Sequence, residues 1–326
     1  MICTSHLQAR HRRSSGAALL AVLWVIALLI GLVAGASLLL TQDLDAAAAK
    51  RQIFRARMLA EGALAIAMNP DVKAEEPLLR RQLADDEEYE VQMTGEDGLI
   101  NPNVLLQKND HETFRRIFKY WGMTSKQAGA LIAAMTDWVD TDDWPSVGGG
   151  AEKKEYGFTG MPFNRPFRSI EEMAMVRGMQ EVEQAYPEWR TWFSVYASGA
   201  LDVNEARPEV ISAVTGAQIR LAQNLRTSRL GRDGLLNTQD DTPMPDLTSA
   251  LAMLGIANAN PTAMAGILSV QSGTKRLVVR VRVGELKREL SAVVRGGIGQ
   301  GATAILWMSE ANPIDDQPAA ANAVTR

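Results

Sequence analysis

The chain has few of the residues that most reactive sites need. Its single cysteine is Cys3, and its three histidines are His6, His11 and His111. No Gly-x-Ser-x-Gly, P-loop or His-Glu-x-x-His pattern occurs, so the usual hydrolase elbow, nucleotide cradle and zinc-peptidase helix are excluded. One cysteine makes no internal disulfide, which leaves metal as the common device for bracing a domain that needs extra fixing. An excess of positive charge is missing too. The 34 Lys and Arg stand against 38 Asp and Glu, giving a formal charge of −4 and no support for nucleic acid as a partner. These absences lead to the expectation that the protein is not an enzyme.

Charge is absent most completely near the start. From Ser14 to Gln42, 29 residues pass without Asp, Glu, Lys or Arg, directly after Arg10-His11-Arg12-Arg13. The apolar part, residues 17–40, would make roughly 36 Å of helix at about 1.5 Å per residue, enough to cross a hydrocarbon core of about 30 Å. A secretory h-region is shorter, about 7–15 residues. Arginines before the segment, with Asp43 and Asp45 after it, place the N-terminus in the cytoplasm and everything after about residue 45 on the far side of the membrane. About 280 residues follow, enough for one large or two ordinary domains.

Beyond the membrane segment the helix is expected to continue to about residue 69. Ala46 to Ala49 favours helix, Ile53, Phe54, Met58, Leu59, Leu64 and Ile66 recur at helical spacing, and Asn69-Pro70 stops it. Tyr89 to Thr94 alternates and runs into Gly95-Glu96-Asp97-Gly98, which predicts a hairpin continuing in Leu99-Ile100-Asn101. Strands return at 277–283, 286–294 and 302–308. Arginine at alternate positions of the first marks an antiparallel sheet with one wet face. Between these groups the spacing predicts helices over 111–120, 125–139, 169–176, 181–196, 208–215, 218–227, 248–254 and 261–270. The organisation expected is a β domain from 71–107 and 271–310, an α-helical insertion over 108–270, and a disordered tail over 311–326.

The junction Arg12-Arg13-Ser14-Ser15-Gly16-Ala17-Ala18-Leu19-Leu20 resembles a type IV prepilin leader; an ordinary signal anchor is the plainer alternative. The resemblance implies cutting after Gly16 by a prepilin peptidase, with Ala17 as the new, methylated N-terminus. The family usually has Glu five residues into the mature chain, where this sequence has Ala21. Within that family the large minor pseudopilins, type II secretion system protein K, typically lack this glutamate. Ordered segments agree with protein K: Asp97-Gly98-Leu99-Ile100-Asn101-Pro102-Asn103; Thr136 to Trp144 with Gly148-Gly149-Gly150-Ala151-Glu152 and Tyr156; Asn164-Arg165-Pro166-Phe167 with Ser169 to Met173; and Leu201 to Val210. The resemblance implies an α+β fold: a long N-terminal transmembrane helix and a pseudopilin-like antiparallel sheet split by a large α-helical insertion. Its implied setting is the tip of a periplasmic pseudopilus, with the minor pseudopilins I and J and the major pseudopilin as partners.

Two loops are candidate calcium sites for one or two ions. In the first, Asp140, Asp142, Asp143 and Glu152 surround a glycine-rich turn, and hard oxygen ligands suit Ca²⁺, although the offsets are not those of an EF-hand. A solvated helix end is the competing reading. In the second, Gly231 to Asp241 looks like a pseudopilin calcium loop, with Asp233, Asn237, Asp240 and Asp241 as oxygen donors; acids and Gly are also common in plain turns. A rival class comes from Ser169 to Met179 and Leu201 to Gly216, which resemble halves of a helix-hairpin-helix, the mark of a membrane-anchored DNA-uptake receptor. Gly178 and Gly216 are followed by Met179-Gln180-Glu181 and Ala217-Gln218 rather than a basic patch, so packing is the use expected of them.

Overall fold

A computed structural model describes residues 15–157, 160–235, 238–297 and 300–311. The leader up to residue 14, Asn237 and the tail from 312 therefore lie outside the described residues. The chain divides into two compact units, Met1–Arg55 and Ala56–Arg326. Helix α1 covers Ser15–Ala67, with Gly16 and Ala17 in its first turn. In the first unit, Ala18–Ser37 has a mean hydropathy of 2.8 and leaves its apolar side chains exposed. That stretch is long and apolar enough to cross a membrane.

The second unit begins with the last turns of α1, whose Ala56, Ala60, Ala63, Leu64 and Ala67 are buried. This stripe keeps Leu64 of the set expected, with Leu59 and Ile66 packed beside it, but Ile53, Phe54 and Met58 are exposed. Alanine on the packing face lets the helix backbone come close to a sheet, where larger side chains would hold it off. The sheet is antiparallel in the order β1-β2-β5-β6-β7, with β1 Arg80–Ala84, β2 Glu87–Gly95, β5 Thr274–Val283, β6 Leu286–Gly297 and β7 Gln300–Ala311. Tyr89, Val91 and Met93 of β2 and Leu277, Val279, Val281 and Val283 of β5 fill a core with the alanine stripe. On the other face Arg280 meets Glu289 at 2.9 Å and Arg282 meets Glu88 at 2.8 Å, cross-strand pairs that the period-2 alternation brings together.

The expected hairpin is in a different place. β2 turns back on β1, upstream of it, and Leu99-Ile100-Asn101 contributes only an isolated bridge, Ile100 to Phe193. The chain leaves the sheet at Gly95 and returns at Lys275, and these residues are partners in the β2–β5 register. All the helices between them thus form one closed excursion, α2 Pro102–Gln107, α3 His111–Tyr120, α4 Ser125–Val139, α5 Lys153–Tyr156, α6 Ile170–Ala174, α7 Met179–Ala185, α8 Pro208–Thr215, α9 Ile219–Arg229, α10 Leu247–Met253 and α11 Pro261–Met264. The helix expected over 181–196 breaks at Tyr186-Pro187 and becomes a 3₁₀ segment, Pro187–Trp192, because proline cannot donate to the preceding turn. The one expected over 261–270 ends at Met264, and Leu268–Ser269, β4, pairs in parallel with Leu201–Asp202, β3.

Buried carboxylates close the neck of this excursion. Asp97, 1% exposed, accepts from the amides of Ser198, Gly273 and Thr274 at 2.6, 2.9 and 3.1 Å and from Ser272 Oγ at 3.2 Å. Glu96 receives both Nε and Nη2 of Arg276, at 2.8 and 2.7 Å, and the hydroxyl of Ser194 at 2.5 Å. Each buried charge is therefore matched by several donors, the condition under which burial is tolerated.

Candidate cation site and similar proteins

The first acidic loop grows out of α4. Thr124 and Gln127 form a capping box at its N-terminus, and Leu131, Ile132, Met135 and Trp138 turn its apolar face into the core of the insertion. Asp137 lies on that same face, completely buried. Its carboxylate oxygens accept the Ser146 amide at 3.0 and 3.1 Å, which bends the chain back beneath the helix end. Gly150 fits against this turn because it lacks a Cβ: one placed there would strike Asp137 Oδ2 and the Ser146 amide.

The bend brings Asp140, Asp142 and Glu152 together, one oxygen of each lying within 4.8 Å of the others. Two oxygens each about 2.4 Å from one calcium ion are at most about 4.8 Å apart, so the spacing suits a shared ion. Glu152 is 4% exposed, and neither of its oxygens has a hydrogen-bond partner; Asp140 Oδ1 is likewise buried and unpartnered. Buried carboxylate oxygens are normally satisfied. Here burial, then the neighbouring Asp142 and Asp137, push the Asp140 carboxyl up to about 6. Burial, then Asp137, Asp140, Asp143 and Asp142, push Glu152 up to about 7. A divalent cation would supply what both lack. Asp143 points elsewhere, to Lys153 Nζ at 2.7 Å. Asp137 is the member of this site that sequence reasoning passed over; its one visible signal is an acid on an otherwise apolar helix face.

The second loop is arranged differently. Asp240 Oδ2 accepts from the Arg232 amide at 2.5 Å, and Thr238 Oγ1 donates to Asp240 Oδ1 at 2.9 Å. The Thr238 hydrogen bond, together with these loop amides, holds the Asp240 carboxyl below its usual range. Asp241 accepts from the Thr238 amide at 3.2 Å, and Asp233 from Leu235 at 2.8 Å. These carboxylates already bind donors of their own loop, with Asn237 outside the described residues. The helix-hairpin-helix-like segment α8–α9 packs through Val210, Ile211, Ala213, Ala222 and Leu225. Arg116 donates to the carbonyls of Ala213 and Val214 at the end of α8.

A membrane-length apolar helix in a chain whose antiparallel sheet is opened by a helical insertion has the build of a large pilin-like subunit. Residues 78–196 match the family model described as type II secretion system (T2SS), protein K. Type II secretion system protein K of Pseudomonas aeruginosa is 26% identical over 241 residues, 70% of each chain. Its Klebsiella pneumoniae counterpart is 26% identical over 161 residues, 44% of this chain and 48% of that one. A chain of the solved GspK-GspI-GspJ complex from enterotoxigenic Escherichia coli shares the fold with a TM-score of 0.59 at 17% identity, over 80% of this chain and 96% of the other. Over residues 78–196 the chain is thus similar to protein K of type II secretion systems, as it is to the Pseudomonas aeruginosa relative over 70% of its length.

Proposed function

We propose that the chain is the tip subunit of a pseudopilus, anchored in the inner membrane by Ala18–Ser37 with its sheet and helical insertion in the periplasm. The family match over residues 78–196 carries this reading. Its partners are the minor pseudopilins I and J, which share a complex with the solved relative, and below them the major pseudopilin. A prepilin peptidase cuts after Gly16, and Ala17 becomes the mature, methylated N-terminus. Ala21 supports a tip position: in a filament the glutamate usual there pairs with the amine of the subunit above, and a subunit with nothing above it has no such need. The work is mechanical rather than enzymatic. Apolar helices pack side by side, with Gly31 and Gly35 open to a neighbour, and the insertion caps the filament.

The chain also holds Ca²⁺ at Asp140, Asp142 and Glu152, where the ion neutralises three converging carboxylates and locks the loop. Removing the chain from a strain with an active system tests the main reading. Export of the system's substrates should stop and return when the chain is restored; undiminished export without it contradicts the proposal.

A further inference from the structure

Tyr120, the last residue of α3, is 51% exposed, yet its ring rests on a buried aromatic base. Trp192 lies against it with ring centroids 5.3 Å apart, and Tyr186 stands edge-on at 6.5 Å, itself stacked on the buried Trp121 at 5.2 Å. Trp192 Nε1 donates to the Tyr186 hydroxyl at 3.3 Å. The Tyr120 ring is therefore held in place before any ligand arrives, so little freedom is lost on binding.

Charge borders this ring. Arg207, at the start of α8, has its guanidinium 5.5 Å from the Trp192 ring, and its Nη2 donates to the carbonyl and hydroxyl of Thr191 at 3.0 and 2.9 Å. Arg207 and Glu209 both lie close enough to Tyr120 for their charges to act on its hydroxyl, and both act likewise on Arg226 of α9. Glu209 and Arg226 are half-buried and make no side-chain hydrogen bond or ion pair among the described residues. Three helices thus bring two guanidinium groups and one carboxylate to one aromatic face, and a half-buried cation without an acceptor is costly unless a ligand supplies one.

We propose that Tyr120, Arg207, Glu209 and Arg226 bind a sugar ring that carries a carboxylate. The negative face of the tyrosine ring attracts the C–H face of a sugar. Sugar hydroxyls both donate and accept, and here they find an acceptor in Glu209 and a donor in Arg207. The carboxylate pairs with Arg226, a charge-assisted bond of the stronger kind, and one negative charge balances the excess of one cation over the single acid. A nucleic acid instead presents a row of phosphates, which two cations interrupted by a carboxylate do not follow. The site stands whatever the chain does in secretion, and it shares no residue with the cation loop.

The test titrates the full chain in detergent with three matched disaccharides built on N-acetylglucosamine. The second sugar is N-acetylmuramic acid, with the lactyl carboxylate of cell-wall glycan, in one; glucuronic acid in another; and neutral N-acetylglucosamine in the last. At least one acidic sugar should bind about tenfold tighter than the neutral one. Arg226→Gln should abolish that preference. Tyr120→Ala should weaken binding about tenfold, while Tyr120→Phe, which keeps the ring, should stay within about twofold of the parent. Preference for the muramic acid form assigns the site to cell-wall glycan, and preference for the glucuronic acid form to an acidic polysaccharide. The proposal is overturned by no binding of any sugar at about 10 mM, by equal binding of acidic and neutral sugars, by a preference that survives Arg226→Gln, or by undiminished binding in Tyr120→Ala. An aspartate-rich peptide that binds as tightly as the acidic sugar also overturns it, leaving a plain anion site. If Tyr120→Ala melts lower than the parent, Arg226→Gln decides.

Discussion

Replacing Glu152 by Gln separates a cation site from a solvated loop. Without a cation, a carboxyl whose pKa rises from 4.5 to about 7 loses about 3 kcal/mol of folded stability once it ionises, at 1.36 kcal/mol per unit. The sign follows from the raised value: the stability is fully present below about pH 4.5 and is lost as pH rises through about 7. Asp140, raised from 3.8 to about 6, behaves alike, and because the two carboxylates titrate together their effects do not simply add. The fragment from Arg51 onward, in EDTA, should therefore melt lower at pH 8 than at pH 5. Glu152→Gln should recover roughly 5–10 °C of that at pH 8, at a few degrees per kcal/mol. In calcium at one hundred times Kd the parent should gain about 2.7 kcal/mol and Glu152→Gln much less, with the parent's affinity falling as pH drops below 7 because the ligands must be deprotonated. Equal pH profiles for parent and variant, with no calcium response in either, would refute the reasoning.

Mass analysis of the mature chain should find Ala17 at its N-terminus, and Gly16→Glu should leave a longer, uncut, membrane-bound form; cleavage near residue 40 instead would point to a signal peptidase. Asp97→Ala deprives three amides of their buried acceptor and should cost about 3 kcal/mol in urea unfolding; a loss under 1 kcal/mol would mean that water replaces the carboxylate at the neck. Ala21→Glu puts an unpaired carboxylate in the bilayer at about 2.5–3.5 kcal/mol and should impair assembly, whereas normal secretion with the chain found along overproduced pili would remove it from the tip. Asp240→Ala should unfasten its own loop amides and lower stability whether or not calcium is present; a loss seen only in calcium would place an ion there as well.

Much of the local structure was legible because its signals are short-range. α3, α4 and α8 start where Asp110, Thr124 and Pro208 mark helix starts, and β5 and β6 follow the alternation of Val with Arg. β1 was not legible: Arg80-Arg81-Gln82-Leu83-Ala84 is an exposed edge strand with no apolar face to set a period. The alanine stripe of α1 escaped for the opposite reason, since a count of large apolar residues favours Ile53 and Phe54 while close packing favours Ala56 and Ala63. At the acidic loop the carboxylates could be read, but their convergence depends on Asp137 gripping Ser146. The neck depends on Asp97 meeting residues about 175 positions away, a distance that no window of sequence spans.

The tip assignment is tested most directly by mixing residues 51–326 of this chain with the minor pseudopilins I and J of the same system and weighing the product. The account expects one stable complex with one copy of each, formed without the membrane helix. A chain that stays alone while I and J bind each other would contradict it.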